Sequence, residues 1–208
     1  MRTSLGDIAD VVDAARVLYE DEPDTTELID GFARRLREPL RVAVGGIVKA
    51  GKSTLLNAII GERIAPTDAG ECTRTITWYR YGQTASVTLH LLNGQTERLP
   101  VRRVDGRLDL DLRGRTAEEV AWIDVRWPSE SLRSMILIDT PGIASITAEN
   151  SARSMEFLVP ENSPSAADAI IYLLRHVHSS DVSFLEAFRD TAAGASQTVN
   201  AVAVLSRA

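Results

Sequence analysis

The chain has 208 residues, 44% of them apolar and 25% charged, which is enough for one sizeable domain with a hydrophobic core. Its 23 basic and 29 acidic side chains leave a formal charge of −6, which argues against a nucleic-acid-binding domain of the usual basic kind. A single cysteine, Cys72, excludes an internal disulfide and suits a reducing cytoplasm, and the acid-bearing N-terminus lacks the apolar core of a signal peptide.

Ile8, Val11, Val12, Ala15 and Leu18 recur at helical spacing, and Pro23 ends that segment. Leu28, Ile29, Phe32, Leu36 and Leu40 repeat the pattern after the cap candidates Asp24 and Thr25, which predicts a helical hairpin over about residues 4–37. RVAVGGI, from Arg41 to Ile47, reads as a buried strand. A helix follows over about Lys52–Ile60, then a loop, ERIAPTDAGECT. TITWYRY and SVTLHLL read as strands joined near Asn93-Gly94, a hairpin signal. TERLPVRRVDGRLDLDLRG reads as a further strand with an irregular excursion, and WIDVRWP and MILID as two more strands. SARSMEFLV reads as a helix, DAIIYLLR as a strand, SDVSFLEAFRDTAAG as a helix and TVNAVAVLS as a strand. The longest apolar runs, MILI and AIIYLL, are strand-length and too short to span a bilayer. Strand–helix–strand units with apolar strands predict a mostly parallel sheet covered by helices on both faces, with an antiparallel edge.

Gly46, Gly51, Lys52 and Ser53 satisfy G-x-x-x-x-G-K-[ST] between a predicted strand and a predicted helix. Backbone N–H groups in such a loop converge on phosphate oxygens, and glycines let the chain turn without a Cβ clash. Lys52 then neutralises β- and γ-phosphates, and the Ser53 hydroxyl suits Mg²⁺. Asp139-Thr140-Pro141-Gly142 follows the strand MILI. An acid there is placed to hold Mg²⁺ through water, and the Gly142 N–H to meet a γ-phosphate. Thr73 lies in the loop after the first phosphate-binding helix, where its hydroxyl suits Mg²⁺; it reads equally as a strand-start residue beside Thr75 and Thr77. His176 and His178 form an H-x-H with no third ligand nearby, so a loop leading to the cap Ser179-Ser180-Asp181 is the better reading. Cys72 reads as small packing. The arginines at 98, 102, 103, 107, 113 and 115 alternate with Asp105, Asp109 and Asp111, as in a solvated strand face.

GGIVKAGKSTLLNAIIGERIAPTDAGECTRTITWYRYG, with IDTPG downstream, resembles the dynamin-like GTPases, in particular the bacterial branch and its actinobacterial isoniazid-inducible members. The resemblance runs from about Arg41 onward. It implies a three-layer P-loop GTPase fold over residues 41–208, incomplete at its C-terminus, and a hairpin over residues 1–40 that begins a flanking helical bundle. It implies GTP as substrate, held with Mg²⁺ by Gly46, Ala50, Gly51, Lys52, Ser53, Thr54, Asp139 and Gly142, with Ser53, Thr73 and Asp139 toward the metal. Ser206 and Arg207 stand where the family reads guanine, Arg207 in place of a lysine. Val48 and Lys49 replace the polar Gln-Ser pair of classical dynamins. Lys49 stands where the related guanylate-binding proteins carry an in-cis arginine finger, and otherwise reads as a solvated loop residue. The resemblance further implies dimerisation through the GTPase domain, no nucleic-acid partner, and membrane remodelling at the inner face of a bacterial cell membrane through parts outside this chain. A nucleotide switch with little turnover and a ribosome-associated GTPase are the alternatives.

Overall fold

The computed structural model describes residues 4–47, 49–66, 75–141, 157–158, 165–177, 179–193 and 200–206. The expected helix SARSMEFLV falls mostly outside these residues. The chain divides into two units, residues 1–39 and 40–208.

The first unit is a hairpin of α1 (Leu5–Leu18) and α2 (Pro23–Arg37). Ser4 and Asp7 form a capping box at the start of α1: the Ser4 hydroxyl accepts from the Asp7 N–H at 3.2 Å and the Asp7 carboxylate from the Ser4 N–H at 2.7 Å. Pro23 does not end the first helix; it opens the second, because its fixed φ and missing N–H suit a first helical turn. Glu22 is the cap, and the expected caps Asp24 and Thr25 lie inside the helix. The Thr26 hydroxyl donates to the Tyr19 carbonyl at 2.7 Å and Arg16 pairs with Asp30 at 2.6 Å, which closes the hairpin.

The second unit is built on an eight-stranded sheet. Its strands are β1 (Leu40–Gly46), β2 (Thr77–Tyr81), β3 (Ser86–Leu91), β4 (Thr96–Leu99), β7 (Val120–Trp127), β8 (Met135–Asp139), β9 (Ala169–Leu174) and β10 (Ala201–Leu205). They lie in the order β10-β9-β1-β8-β2-β7-β3-β4. Pairs β10–β9, β9–β1, β1–β8 and β2–β7 are parallel; β8–β2, β7–β3 and β3–β4 are antiparallel. A separate ribbon of β5 (Arg102–Val104) and β6 (Arg107–Asp109) turns at Asp105-Gly106.

Asn93-Gly94 joins β3 to β4, not β2 to β3 as the sequence suggests. β2 and β3 are not neighbours, because β7 runs between them. The expected excursion after β4 is the β5–β6 ribbon, and the chain from β6 onward joins the core through buried Leu108, Leu110 and Leu112.

Period-two alternation sends successive side chains to opposite faces. Val42, Val44 and Leu137 pack with Leu56 and Ile60 of α3 (Lys52–Ile60) on one face. Ala43, Ile136, Ile138 and Ile170 pack with Phe184 and Phe188 of α4 (Ser179–Ala193) on the other. This is the three-layer, mostly parallel α/β arrangement expected. Trp127 is buried, and Trp122 stacks on His90 with ring centroids 3.6 Å apart. Among the described residues no helix is long and apolar enough to cross a membrane.

The α3-side core sets one stability prediction. Leu137 is fully buried between β1 and β2, so Leu137→Ala should lower unfolding free energy by about 2–5 kcal/mol in urea titrations. Val202→Ala on the outermost strand, where Val202 is 54% exposed, should change it by about 0.5 kcal/mol or less.

Candidate phosphate-binding site

The site begins where β1 runs out. Gly46 pairs with Leu173 of β9 and has φ +130°, and a Cβ built on it would lie 2.3 Å from the Leu173 carbonyl oxygen. Only glycine permits that approach of two backbones. Gly51, at φ +98°, caps α3. No side chain caps α3 and its first turn carries no acid, so its N-terminal amides and dipole face the loop without an internal anion. Ala50 is buried, and its N–H donates to the Ile47 carbonyl at 3.2 Å. Ser53 is half-buried at the start of α3, and Thr54 is exposed beside it.

Between these glycines Lys49 adopts φ +63°. That left-handed conformation costs a residue with a Cβ about 1–2 kcal/mol. The Arg175 guanidinium, just beyond β9, donates through Nη2 to the Lys49 carbonyl at 2.5 Å.

Lys52 folds back over its own loop. Its Nζ donates to the Gly46 and Ile47 carbonyls, each at 3.1 Å. Burial lowers the Lys52 pKa, and the charge of Asp139 partly restores it. Asp139 ends β8, between Val44 of β1 and Thr77 of β2. Enclosure of its carboxyl pushes its pKa up to about 6, against the downward pull of Lys52. Thr140 ties the following segment to β1, its hydroxyl donating to the Val44 carbonyl at 3.1 Å. An enclosed carboxylate whose charge is offset only in part by Lys52, the residue before Ser53, is a hard oxygen donor of the kind that Mg²⁺ takes. Among the described residues no three His, Cys, Asp or Glu side chains gather to hold a metal, so most ligands of such an ion would be phosphate and water.

The residues expected at one loop are therefore together: Gly46, Lys49, Ala50, Gly51, Lys52, Ser53 and Thr54, with Asp139 electrostatically coupled to Lys52. Ser206 lies at the end of β10, and its N–H and hydroxyl donate to the Leu174 carbonyl at 2.7 and 3.0 Å. Leu174 precedes Arg175, so the Ser206 segment and the phosphate loop flank the same end of β9. Thr73, Gly142, Arg207, Val48, Cys72 and His178 lie outside the described residues, and His176 is exposed. Sequence reasoning passed over Arg175, being drawn to the neighbouring histidines. The signal that finds it is topological: residues just past the C-terminal end of a parallel strand beside β1 face the ligand crevice.

A glycine-rich loop between a central parallel strand and a helix N-terminus, with a lysine and an aspartate converging on it, defines a P-loop nucleotide-binding protein. Residues 42–194 match the Dynamin family, and the chain belongs to that family. It is 39% identical over 190 residues to isoniazid-induced protein IniC of Mycobacterium tuberculosis, covering 91% of this chain and 38% of that protein. It is 31% identical over 121 residues to the bacterial dynamin-like protein of Nostoc punctiforme, covering 53% of this chain and 18% of that protein. The structure of an oligomerised bacterial dynamin pair, described as a mechanism for long-range sensing and tethering of membranes, shares the fold. It superposes with a TM-score of 0.61 at 16% identity, covering 95% of this chain and 31% of that one. The chain thus spans well under half the length of these relatives. It carries a dynamin-like GTPase domain of the bacterial kind.

The coupled pair predicts a pH dependence. A carboxyl group whose folded pKa is raised holds its proton more tightly when folded, so its contribution is full below about pH 4 and lost as pH rises through about 6. Nucleotide-free protein should lose up to about 3 kcal/mol of stability over that window through this group. Asp139→Asn should flatten that part of the profile, measured by urea unfolding at a series of pH values.

Proposed function

We propose that the chain binds GTP with Mg²⁺ and hydrolyses it by in-line attack of water on the γ-phosphate. The observation that carries this reading is the enclosed Lys52–Asp139 couple at the start of α3, which no side chain caps, in a chain of the dynamin family. Lys52 exchanges the Gly46 and Ile47 carbonyls for phosphate oxygens, a charge-assisted contact stronger than the one it leaves. The amides of Ala50, Gly51, Lys52, Ser53 and Thr54 cradle the phosphates. Ser53, Thr73 and Asp139 hold Mg²⁺, which when bound neutralises charge on the β- and γ-phosphates. Thr73 and Gly142 orient the attacking water and the γ-phosphate, and Ser206 and Arg207 meet the guanine.

Lys49 is the residue we assign to transition-state charge. It is exposed at the crown of the loop, and when two GTPase domains meet, its ammonium swings over the nucleotide. Arginine fingers contribute about 10³–10⁵ in rate, and a lysine lacks their bidentate fork, so the contribution here is smaller. In this reading residues 41–208 form a GTPase domain that dimerises, and residues 1–40 begin a helical bundle. The intact protein couples that cycle to membrane remodelling at the inner face of a bacterial membrane, without nucleic acid. Val48, which has no group to orient water, favours a second reading: a nucleotide switch that turns over little.

Full-length protein should hydrolyse GTP in preference to ATP, with turnover per molecule rising with protein concentration and lost in Lys52→Ala. Binding of GTP without turnover at any concentration supports the switch instead. Lys49→Ala should lower turnover by about tenfold or more at high protein concentration and flatten the concentration dependence. A Lys49→Ala protein with the wild-type concentration dependence would remove Lys49 from catalysis.

A further inference from the structure

Among the described residues, three other than glycine have positive φ: Lys49, Asp105 and Arg113. Asp105 sits in the tight turn between β5 and β6. Arg113 is held locally, its N–H donating to the Asp111 carboxylate two residues away at 2.9 Å. Lys49 differs. A side chain 126 residues distant, Arg175, donates to its carbonyl at 2.5 Å. Arg175 is half-buried, and its Nε is buried without a hydrogen-bond partner among the described residues. The bond to Lys49 lies at the exposed crown of the loop, and its strength comes from the charge of the guanidinium donor of Arg175. Its backbone is anchored as well: Leu174, the preceding residue, pairs with β10 and accepts two hydrogen bonds from Ser206.

We propose that Arg175 is a positioning residue that clamps the phosphate loop in its nucleotide-ready form by holding Lys49 left-handed. The inference rests on the GTPase reading above and deepens it. Backbone that alternates between left- and right-handed conformations turns successive N–H groups toward one point, and here left-handed Lys49 and Gly51 stand on either side of Ala50. Lysine does not keep that conformation unaided. Without the Arg175 donor, Lys49 relaxes to negative φ and the amides of Lys49 and Ala50 swing apart. Glycine needs no such support, because positive φ is open to it. The clamp and the side chain at position 49 are therefore linked: replacing Lys49 by glycine makes Arg175 dispensable for binding.

The experiment is an equilibrium titration of a fluorescent GDP analogue, with Mg²⁺, into the full-length protein and three variants. Arg175→Met keeps the aliphatic stem and removes the donor. It should weaken GDP binding about tenfold. Lys49→Gly keeps the left-handed conformation open and sets the baseline for the double variant, which should bind within about threefold of Lys49→Gly alone. That rescue separates a clamp from a direct contact, since an arginine touching phosphate, or one needed only for folding, is not replaced by a glycine elsewhere. A double variant as weak as Arg175→Met overturns the proposal, and so does an Arg175→Met protein that binds as wild type. Should Arg175→Met fail to fold, the same cycle run with Arg175→Leu, which also lacks a donor, decides by the same two criteria. Wild-type protein that binds no guanine nucleotide overturns the GTPase reading itself, whereas wild-type binding with an unrelieved double variant overturns only the clamp.

Discussion

The approach of β1 to β9 at Gly46 is the constraint on which the rest of the site depends. Two parallel strands meet there with no room for a methyl group between the Gly46 α-carbon and the Leu173 carbonyl. β1 therefore leaves the sheet tightly against its neighbour and turns within a few residues into α3. Everything with chemical potential is referred to that corner: the loop amides lie above it, Lys52 reaches back to its carbonyls, and Asp139 ends the strand on its other side. The sheet order supplies the rest, because β8 and β9 both flank β1 in parallel and end beside the loop.

Much of this was legible in the sequence, for identifiable reasons. The phosphate loop is contiguous, so its glycines, Lys52 and Ser53 announce themselves without a fold. Asp139 is legible because it ends an apolar strand. What sequence could not supply is adjacency. Asn93-Gly94 marks a turn through its own backbone chemistry, but a turn does not say which strands it joins, and inserting β7 between β2 and β3 is a decision of the whole sheet. Pro23 misled for a related reason, since the same fixed φ that stops one helix starts another. Arg175 was invisible because its role exists only once β9 lies beside β1. No local pattern distinguishes it from the exposed arginines of the β5–β6 region.

Lys52 is also held by its own loop. Its ammonium rests on the Gly46 and Ile47 carbonyls and is partly offset by Asp139. A buried ammonium without such acceptors would be far more destabilising.

Asn57, on the exposed-to-core boundary of α3, gives the helix a mechanical character. Its amide donates to the Ala65 carbonyl at 2.9 Å and its side-chain oxygen accepts from the Ile64 and Ala65 N–H groups at 2.8 Å. Ser129 bonds the Ile60 carbonyl at 2.7 Å, and the Trp127 indole bonds the Glu62 carboxylate at 3.0 Å. With nine residues, α3 is about 14 Å long, bolted to the phosphate loop at one end and to the β7 end of the sheet at the other. It behaves as a strut, not a spring. A load applied at the loop passes along α3 to the antiparallel half of the sheet through these anchors.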